Sequence, residues 1–328
     1  MKVAGALAAM PWAWFLLRDL HPWLDVLALG LPVVVLAVAG AAVAVTVLRG
    51  RWSPGMIAAS WLVFGAMAVV GPWLPQGGRD PVDGVRIVAA NVRADGSDPS
   101  VVGAEILDQD PDIVVVSERT DGHEDVLSQR FPDVLRSAAR GTQFDVGVFT
   151  DLPVEDMGMP PGISDEGGVR IRVEGPEGPF VLYALHLPPP RLLPSSHPEV
   201  SVRRHTEIVS ALHAAIAGER LPVVVAGDLN LVDRASGYRR LTGVLDDAVR
   251  AGWARPTSLK PVAVPLLARV DHILAPEGWC SGGATIFSLT GSDHRGVAAT
   301  VGACQQQSAE RPGRQPLRAA TSLDRLVK

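Results

Sequence analysis

The chain has 328 residues, enough for more than one domain, and 47% of them are hydrophobic. This apolar excess is concentrated in the first 75 residues. Residues 81–303 carry 20 Arg and Lys against 30 Asp and Glu, a balance of −10. Because an acidic domain repels long polyanions, this balance disfavours DNA or RNA as the main partner.

Two apolar segments in the first part are long enough to cross a membrane as helices. Val26–Leu48 contains 23 residues and Met56–Leu74 contains 19, and neither carries a charge. A hydrocarbon core roughly 30 Å thick needs about 20 apolar residues in helical conformation. Both segments are therefore predicted to be membrane spans rather than buried core helices.

A third apolar segment, Val3–Leu17, is short and contains Pro11. A signal peptide, an interfacial helix and a short first span are all compatible with it. The two spans that follow, and the lack of a convincing small-residue cleavage site, favour a span. The predicted membrane anchor covers residues 1–78, with spans at about 3–20, 26–48 and 56–74.

Charges at the ends of these segments predict the orientation of the anchor. Arg49 and Arg51 lie between the second and third spans, and Lys2 precedes the first. Positively charged loops remain in the cytoplasm, so three spans bring the following chain to the outer face. We therefore expect a multi-pass plasma-membrane protein with an extracytoplasmic domain over residues 79–303. The polar remainder, 304–328, is expected to be disordered.

The two cysteines, Cys280 and Cys304, are too few for a disulfide framework and lack metal-site spacing. They lie symmetrically about Ser292, so a hairpin that turns there would bring them together. An outer location would tolerate a disulfide. Two unrelated small buried residues are the alternative, and the sequence leaves both open.

Beyond residue 79, apolar strands alternate with helices, which is typical of a layered α/β domain. One predicted helix begins after the Asp98 cap and ends at about Leu107, and another covers 200–217. The predicted strands cover residues 85–90, 113–116, 144–149, 169–173, 180–185, 223–226, 269–274 and 297–301.

Side chains that bind metals or transfer protons lie in these strands or at their ends. They are Asn91, Glu118, His186, Asp228, Asn230, Asp271, Asp293 and His294. Each has an ordinary interpretation when taken alone, such as a turn for Asn91 or a core histidine for His186. Their recurrence at the strand ends of one domain indicates a single site.

The motifs AANV, VVVSE, ALHL, GDLN, RVDHIL and SDH follow in this order between Val85 and Val301. With GDLN and SDH as the specific pair, this stretch resembles the endonuclease/exonuclease/phosphatase superfamily of metal-dependent phosphoesterases. The resemblance implies an α/β (α+β) fold, a four-layer α/β/β/α sandwich, preceded here by transmembrane helices. Ser117 replaces the usual Gln, and Thr257–Leu259 replaces a Thr-Trp pair of related membrane members, which leaves substrate contacts open.

The resemblance also implies how a metal is held. Glu118 would be the main metal carboxylate, with Asn91 beside it and Asp293 as a further ligand. Hard oxygen ligands select Mg²⁺ or Mn²⁺, so one of these is the expected cofactor.

The remaining residues are implied to carry out the hydrolysis. Asp228 would orient or deprotonate the attacking water, and Asn230 would steady that water or the phosphate. His294 would bind the scissile phosphate while Asp271 holds its ring. His186 matches a histidine of the phosphatase and sphingomyelinase branches.

Three spans followed by an outward-facing domain resemble actinobacterial membrane proteins of the teicoplanin-resistance type. That resemblance implies a polyprenyl (undecaprenyl) pyrophosphate as substrate, at the outer membrane face. Apolar loops at 188–193 and 262–267 would suit lipid chains, or are ordinary packed loops. We expect a membrane-anchored phosphoesterase for a lipid-linked or small phosphorylated substrate, with an exported nuclease and a non-catalytic binding module as alternatives. The sequence leaves the oligomeric state open.

Overall fold

The computed structural model describes residues 2–50, 52–132, 134–137, 145–163, 167–190, 197–259 and 267–304. The helices are α1 (Lys2–Leu17), α2 (Pro22–Arg49), α3 (Trp52–Gly65), α4 (Pro99–Leu107), α5 (Asp121–Ser128), α6 (Pro198–Gly218) and α7 (Ser236–Leu241). A π-helical turn, Ala66–Val70, and a 3-10 turn, Gly71–Trp73, extend α3, and another 3-10 turn covers Ala248–Ala251.

Twelve strands are assigned in the described residues. They are β1 (Val85–Asn91), β2 (Ile113–Ser117), β3 (Val134–Arg136), β4 (Val146–Thr150), β5 (Val154–Asp156), β6 (Gly168–Gly175), β7 (Gly178–His186), β8 (Val223–Asp228), β9 (Leu245–Asp247), β10 (Asp271–Pro276), β11 (Trp279–Ser288) and β12 (Arg295–Ala303).

Helix α3 packs against both α1 and α2. Trp12 Nε1 donates a hydrogen bond to Ser60 Oγ at 3.0 Å, and the Trp12 ring packs edge-on against Phe64. By length and composition, Leu27–Arg49 and Pro54–Trp73 could each cross a membrane, with mean hydropathies of 2.6 and 1.7. The apolar part of α1, Ala4–Leu17, is shorter than either. The helix ends at Leu17 because the polar turn of residues 18–21 follows.

The strands form two six-stranded sheets with related topologies. The first has the order β11-β12-β1-β2-β4-β3, and the second has the order β5-β6-β7-β8-β10-β9. The centre of each sheet is a parallel pair, β1 with β2 and β7 with β8, and the other pairs are antiparallel. Parallel strands begin and end together, so each sheet presents two strand ends at one edge.

Apolar side chains define four layers. The facing surfaces of the sheets enclose the main core, which includes Ile87, Leu182 and Ile273. Helices α4 and α5 cover the outer face of the first sheet through residues such as Ile106. Helices α6 and α7 cover the second through residues such as Leu212. The fold is therefore the expected α/β/β/α sandwich preceded by apolar helices.

Cys280 and Cys304 form a disulfide, with their Cα atoms 4.8 Å apart. Strands β11 and β12 form the expected antiparallel hairpin, and Cys280 lies opposite Gly302 near its open end. The closed loop spans a sequence separation of 24. A loop of this length corresponds to a stabilisation of about 3.5 kcal/mol in the chain-entropy account.

Several element boundaries differ from the sequence prediction. The last strand is longer, Arg295–Ala303, and β4 begins at Val146. The short helices α5 and α7 were not predicted, because neither has an apolar repeat of useful length. The expected tail and most of the loops at 188–193 and 262–267 lie outside the described residues.

Candidate active site

Strand register brings the polar strand ends to one edge of the sandwich. Asn91 is paired with Ser117 at the ends of β1 and β2, and Glu118 follows directly. In the other sheet, His186 is paired with Asp228 at the ends of β7 and β8. The two sheets pack face to face, so both sets of strand ends meet at the same edge.

Antiparallel neighbours complete the same edge. Strand β10 begins at Asp271, whose register partner is Asp228. Strand β12 runs antiparallel to β1 and begins immediately after His294. Six of the eight predicted site residues thus lie at the end of a strand or next to a strand end in the sequence. Asn230 and Asp293 follow or precede them in the connecting loops.

The Asn91 amide joins the two sheets through two carboxylates. Its Nδ2 donates to Glu118 Oε1 and to Asp228 Oδ2, each at 3.0 Å. Its Oδ1 accepts from Arg93 N at 3.2 Å. His186 Nε2 lies 3.8 Å from Glu118 Oε1 and 3.5 Å from Asp228 Oδ2. The Glu118 side chain is 23% exposed and the Asp228 side chain 1%, so the site opens to solvent on the Glu118 side.

His294 is held by a second carboxylate. Its Nδ1 lies 2.9 Å from Asp271 Oδ2, which places the ring proton on Nδ1. The opposite nitrogen, Nε2, lies 3.9 Å from Asp228 Oδ2. Asp228 therefore has Asn91 and Glu118 on one side and the His294–Asp271 pair on the other.

The pKa values of the two buried aspartates, Asp228 and Asp271, are shifted in opposite directions. Burial tends to raise the pKa of Asp228, but His294, His186 and the hydrogen bond from Asn91 together hold it below its usual value. Burial, with the nearby charge of Asp228, raises the pKa of Asp271 despite the attraction of His294.

The GDLN turn has a constrained backbone. Gly227 has φ +132°, and a Cβ there would lie 2.0 Å from Leu185 O, so only glycine fits. Asn230 adopts φ +48°, donates its main-chain N–H to Asp228 Oδ1 at 3.0 Å, and donates its Nδ2 to Leu187 O at 2.8 Å. Glu118 also has a positive φ of +55°. Such conformations persist where the surrounding structure enforces them, and they cluster at functional sites.

The donor set fits a hard divalent cation. The Glu118 and Asp228 carboxylates both accept from Asn91 Nδ2, so a cation in that position would meet the same two carboxylates. Asn91 Oδ1 accepts from Arg93 N, and the amide would have to turn about its Cβ–Cγ bond to offer that oxygen to the cation. A tighter group, Asp228, Asp271 and His294, has ligand atoms within 4.8 Å of one another. We favour the oxygen-rich side, because the His294–Asp271 hydrogen bond already satisfies that pair and imidazole suits transition metals better than Mg²⁺.

Asp293 is the member least connected to the group. Its carbonyl accepts from Leu259 N at 2.7 Å. Within the described ranges, its carboxylate makes no hydrogen bond or ion pair with the other site residues. Asp293 is half-buried next to His294. Of the predicted ligands, it is the one whose role depends most on a bound cation.

Two hydroxyl groups that sequence reasoning did not assign support the site. Ser292 Oγ donates to Asn91 O at 2.7 Å and accepts from His294 N at 3.0 Å. The fully buried Thr257 accepts at Oγ1 from Val270 N at 3.0 Å and Asp271 N at 3.2 Å. Ser292 belongs to the SDH motif, whereas nothing in the local sequence connects Thr257 with Asp271.

Thr257→Val should lower kcat about tenfold, because two buried N–H groups lose their acceptor and Asp271 loses its fixed position. Thr257→Ser keeps the hydroxyl and is expected to retain most activity. Steady-state kinetics and thermal unfolding of both full-length variants test this. Equal kcat losses in the two variants would show that loss of the hydroxyl alone does not explain the effect.

A separate cavity of about 340 Å³ lies at the opposite end of the sandwich, lined by residues that include Arg79, Arg250 and Trp279. Cys280 and Cys304 also line it, and they lie at the far end of the β11–β12 hairpin from His294. This cavity contains none of the predicted site residues, so the chemistry belongs to the strand-end site.

The model of a family described as "Endonuclease/Exonuclease/phosphatase family" matches residues 88–294. A comparison with curated protein sequences gave no significant match.

Solved structures show a similar fold at low sequence identity. The structure of SmcL is 15% identical, with 67% of this chain and 99% of that chain covered and a TM-score of 0.50. An endonuclease/exonuclease/phosphatase from Beutenbergia cavernae DSM 12333 is 17% identical, with coverages of 69% and 72% and a TM-score of 0.49. An AP endonuclease from Archaeoglobus fulgidus is 16% identical, with coverages of 66% and 98% and a TM-score of 0.49.

Proposed function

The chain belongs to the endonuclease/exonuclease/phosphatase family, and on that premise we propose a membrane-anchored, divalent-cation-dependent hydrolase of a lipid-linked phosphate ester or pyrophosphate. As a member of this family, it is a hydrolase of phosphate ester bonds. One observation carries the proposal: the Asp228 carboxylate contacts the Asn91–Glu118 pair and faces the His294–Asp271 pair. A substrate phosphate at this point would meet both cation-binding oxygens and a histidine.

Glu118 and Asn91 would hold the cation, Mg²⁺ or Mn²⁺, with Asp293 as a further ligand. When bound, the cation supplies positive charge that offsets the charge on the phosphoryl oxygens. Asn91 also keeps Asp228 aligned, since its amide donates to both carboxylates.

Asp228 orients the attacking water and accepts its proton, because its lowered pKa keeps it ionised at neutral pH. Protonated on both ring nitrogens, His294 donates its Nε2–H to a phosphoryl oxygen, while its Nδ1–H donates to Asp271 and keeps the ring oriented. Asn230 fixes Asp228 through its main-chain N–H, and His186 adds a second imidazole beside the two carboxylates.

For a pyrophosphate, the water oxygen forms a bond to the terminal phosphorus as the bridging P–O bond breaks. The bonding electron pair leaves with the bridging oxygen, and the products are inorganic phosphate and the monophosphate of the lipid. A polyprenyl pyrophosphate, such as undecaprenyl pyrophosphate, is the substrate we favour.

Three features support a membrane-facing substrate. Two apolar helices of spanning length precede the domain. Arg49 ends α2, and Trp73 at the other end of the helical group contacts the domain through a hydrogen bond from Ala254 N to Trp73 O at 3.0 Å. With the positive-inside rule, these features support our proposal that the domain lies outside the cytoplasm at the plasma membrane. The −10 charge of residues 81–303 disfavours a polynucleotide.

The deciding experiment offers the purified full-length protein two substrates with Mg²⁺. We expect phosphate release from undecaprenyl pyrophosphate in vesicles and no nicking of supercoiled plasmid. EDTA should abolish the release, and added Mg²⁺ or Mn²⁺ should restore it, because without a cation the charge on the phosphoryl oxygens is not offset. Plasmid nicking alone would identify a nuclease. Inactivity on both substrates, without cation binding by calorimetry, would favour a binding module.

A further inference from the structure

Arg234 is a buried cation in the turn that follows the GDLN motif, with 6% of its surface exposed. Its guanidinium donates to three main-chain carbonyls. Nε donates to Ala28 O, Nη2 to Leu29 O at 3.1 Å, and Nη1 to Leu267 O at 3.2 Å. Two of these carbonyls belong to α2, so this side chain joins the catalytic domain to the membrane anchor.

The Ala28 carbonyl needs an external donor because of Pro32. In an α-helix, each carbonyl accepts from the N–H four residues later, and proline has no N–H. Pro32 lies inside α2 and leaves Ala28 O without its usual partner. Ala28 is fully buried, so an unsatisfied carbonyl there would be costly. Burial lowers the pKa of Arg234 only to about 10, so the guanidinium remains charged at neutral pH.

Other contacts surround this link. Arg239 Nη1 donates to Arg234 O at 2.9 Å, and Nη2 forms an ion pair with Asp19, between α1 and α2. A small apolar cluster packs around the joint; its members are Ala28, Val232, Ala235, Ala268 and Val270, with Trp14 and Leu29 against them. The anchor is therefore docked on the domain by charge, hydrogen bonds and apolar packing together.

The joint is continuous with the catalytic residues. Val232 follows GDLN and Val270 precedes Asp271, and Leu229 N donates to Val270 O at 2.9 Å. Asp233, next to Arg234, forms an ion pair at 2.9 Å with the fully buried Arg269, two residues before Asp271. The turn that binds α2 on one side thus binds the Asp271 segment on the other.

We propose that Arg234 is a positioning residue that holds the mouth of the active site against the outer end of α2, so that a phosphate carried on a membrane lipid reaches Asp228 and His294. This inference rests on the proposed phosphoesterase function and deepens it by tying the lipid-borne substrate class to a contact. Arg234 acts on substrate access and leaves the chemistry at phosphorus to the strand-end residues.

The test compares two diphosphates with the same reacting group. Undecaprenyl pyrophosphate in phosphatidylcholine vesicles is the membrane-borne probe, and isopentenyl pyrophosphate is the water-soluble one. In full-length Arg234→Gln, we expect kcat/KM for the vesicle probe to fall about tenfold or more, mainly through KM, since a displaced site meets fewer lipid phosphates. The value for the soluble probe should stay within about twofold of wild type. Arg220→Gln, which changes an exposed arginine, is the matched control.

Pro32→Ala tests the carbonyl argument directly. An alanine at this position supplies the missing N–H, so Arg234→Gln should have a smaller effect in this background than in wild type. Hydrogen exchange of residues 27–33 gives a readout independent of activity. Exchange should be faster in Arg234→Gln than in wild type or Arg220→Gln, because the helix is no longer held against the domain.

Equal losses on both probes, or no loss on the vesicle probe, would overturn the positioning role. An effect of Arg234→Gln that is unchanged in the Pro32→Ala background would overturn the carbonyl explanation. If wild type hydrolyses neither probe, the proposed function fails, and the role in lipid access fails with it. The exchange experiment would then still decide whether Arg234 holds α2 against the domain.

Discussion

Asp228→Asn is expected to reduce kcat by about 10³-fold while leaving the fold intact, the size of effect typical for loss of a general base. The variant cannot accept the water proton. Its amide would also place an NH₂ group or a weaker acceptor opposite Asn91 Nδ2, which now donates to Asp228 Oδ2 at 3.0 Å. Phosphate release by the full-length protein measures the loss, and circular dichroism with thermal unfolding checks the fold.

Asp246→Asn is the matched control, because Asp246 is exposed on β9, away from the strand-end site. We expect its activity to equal that of wild type. If Asp228→Asn retained more than about a tenth of wild-type kcat, the attacking water would have to be aligned by another group, and our assignment of Asp228 would be wrong.

Asp271→Asn is expected to separate activity from stability. The neutral side chain no longer stabilises positive charge on His294 and allows the other ring tautomer, so kcat should fall by about 10²- to 10⁴-fold, as in other carboxylate–histidine pairs. The pKa of Asp271 is raised in the folded protein by burial and by Asp228. Ionised Asp271 therefore opposes folding, and the free energy of unfolding should rise, or at least not fall, when the charge is removed.

The raised pKa of Asp271 also predicts how the stability of the variant depends on pH. A carboxyl group with a raised folded-state pKa favours folding while protonated, and that contribution is lost as the pH rises through its folded value. The stabilising effect of Asp271→Asn should therefore be present at pH 8 and disappear toward pH 4. Urea unfolding of wild type and variant without added metal, across this range, measures it. A variant that is less stable than wild type at pH 8 would contradict the raised pKa.

The acid limb of the activity profile should also belong to Asp271. As the pH falls, Asp271 takes up its proton before Asp228, whose pKa is lowered. As the pH is lowered, kcat/KM of wild type should therefore begin to fall at a higher pH than the one at which Asp228 is protonated. His197→Gln, at an exposed histidine outside the site, should leave this profile unchanged.

Much of the sandwich was predictable because strand identity is local. Runs such as VVVA before Gly227 are buried on both faces, and their composition alone indicates a central strand. The eight polar residues were predicted in the same way, since each lies in an apolar run or close to one of its ends. Helices α5 and α7 were missed because they are short and are stabilised by packing on a sheet rather than by their own repeat.

The sequence by itself determined the strand-end residues, the apolar helices and the family motifs, because these depend on neighbouring residues and their order. Only the tertiary structure decided which oxygens face one another. Asn91 bridges Glu118 and Asp228 across two sheets, Thr257 supports Asp271, and Cys280 joins Cys304. The contact between Arg234 and the carbonyl released by Pro32 joins residues about 200 positions apart. Such contacts arise when whole elements pack, and no local pattern encodes them.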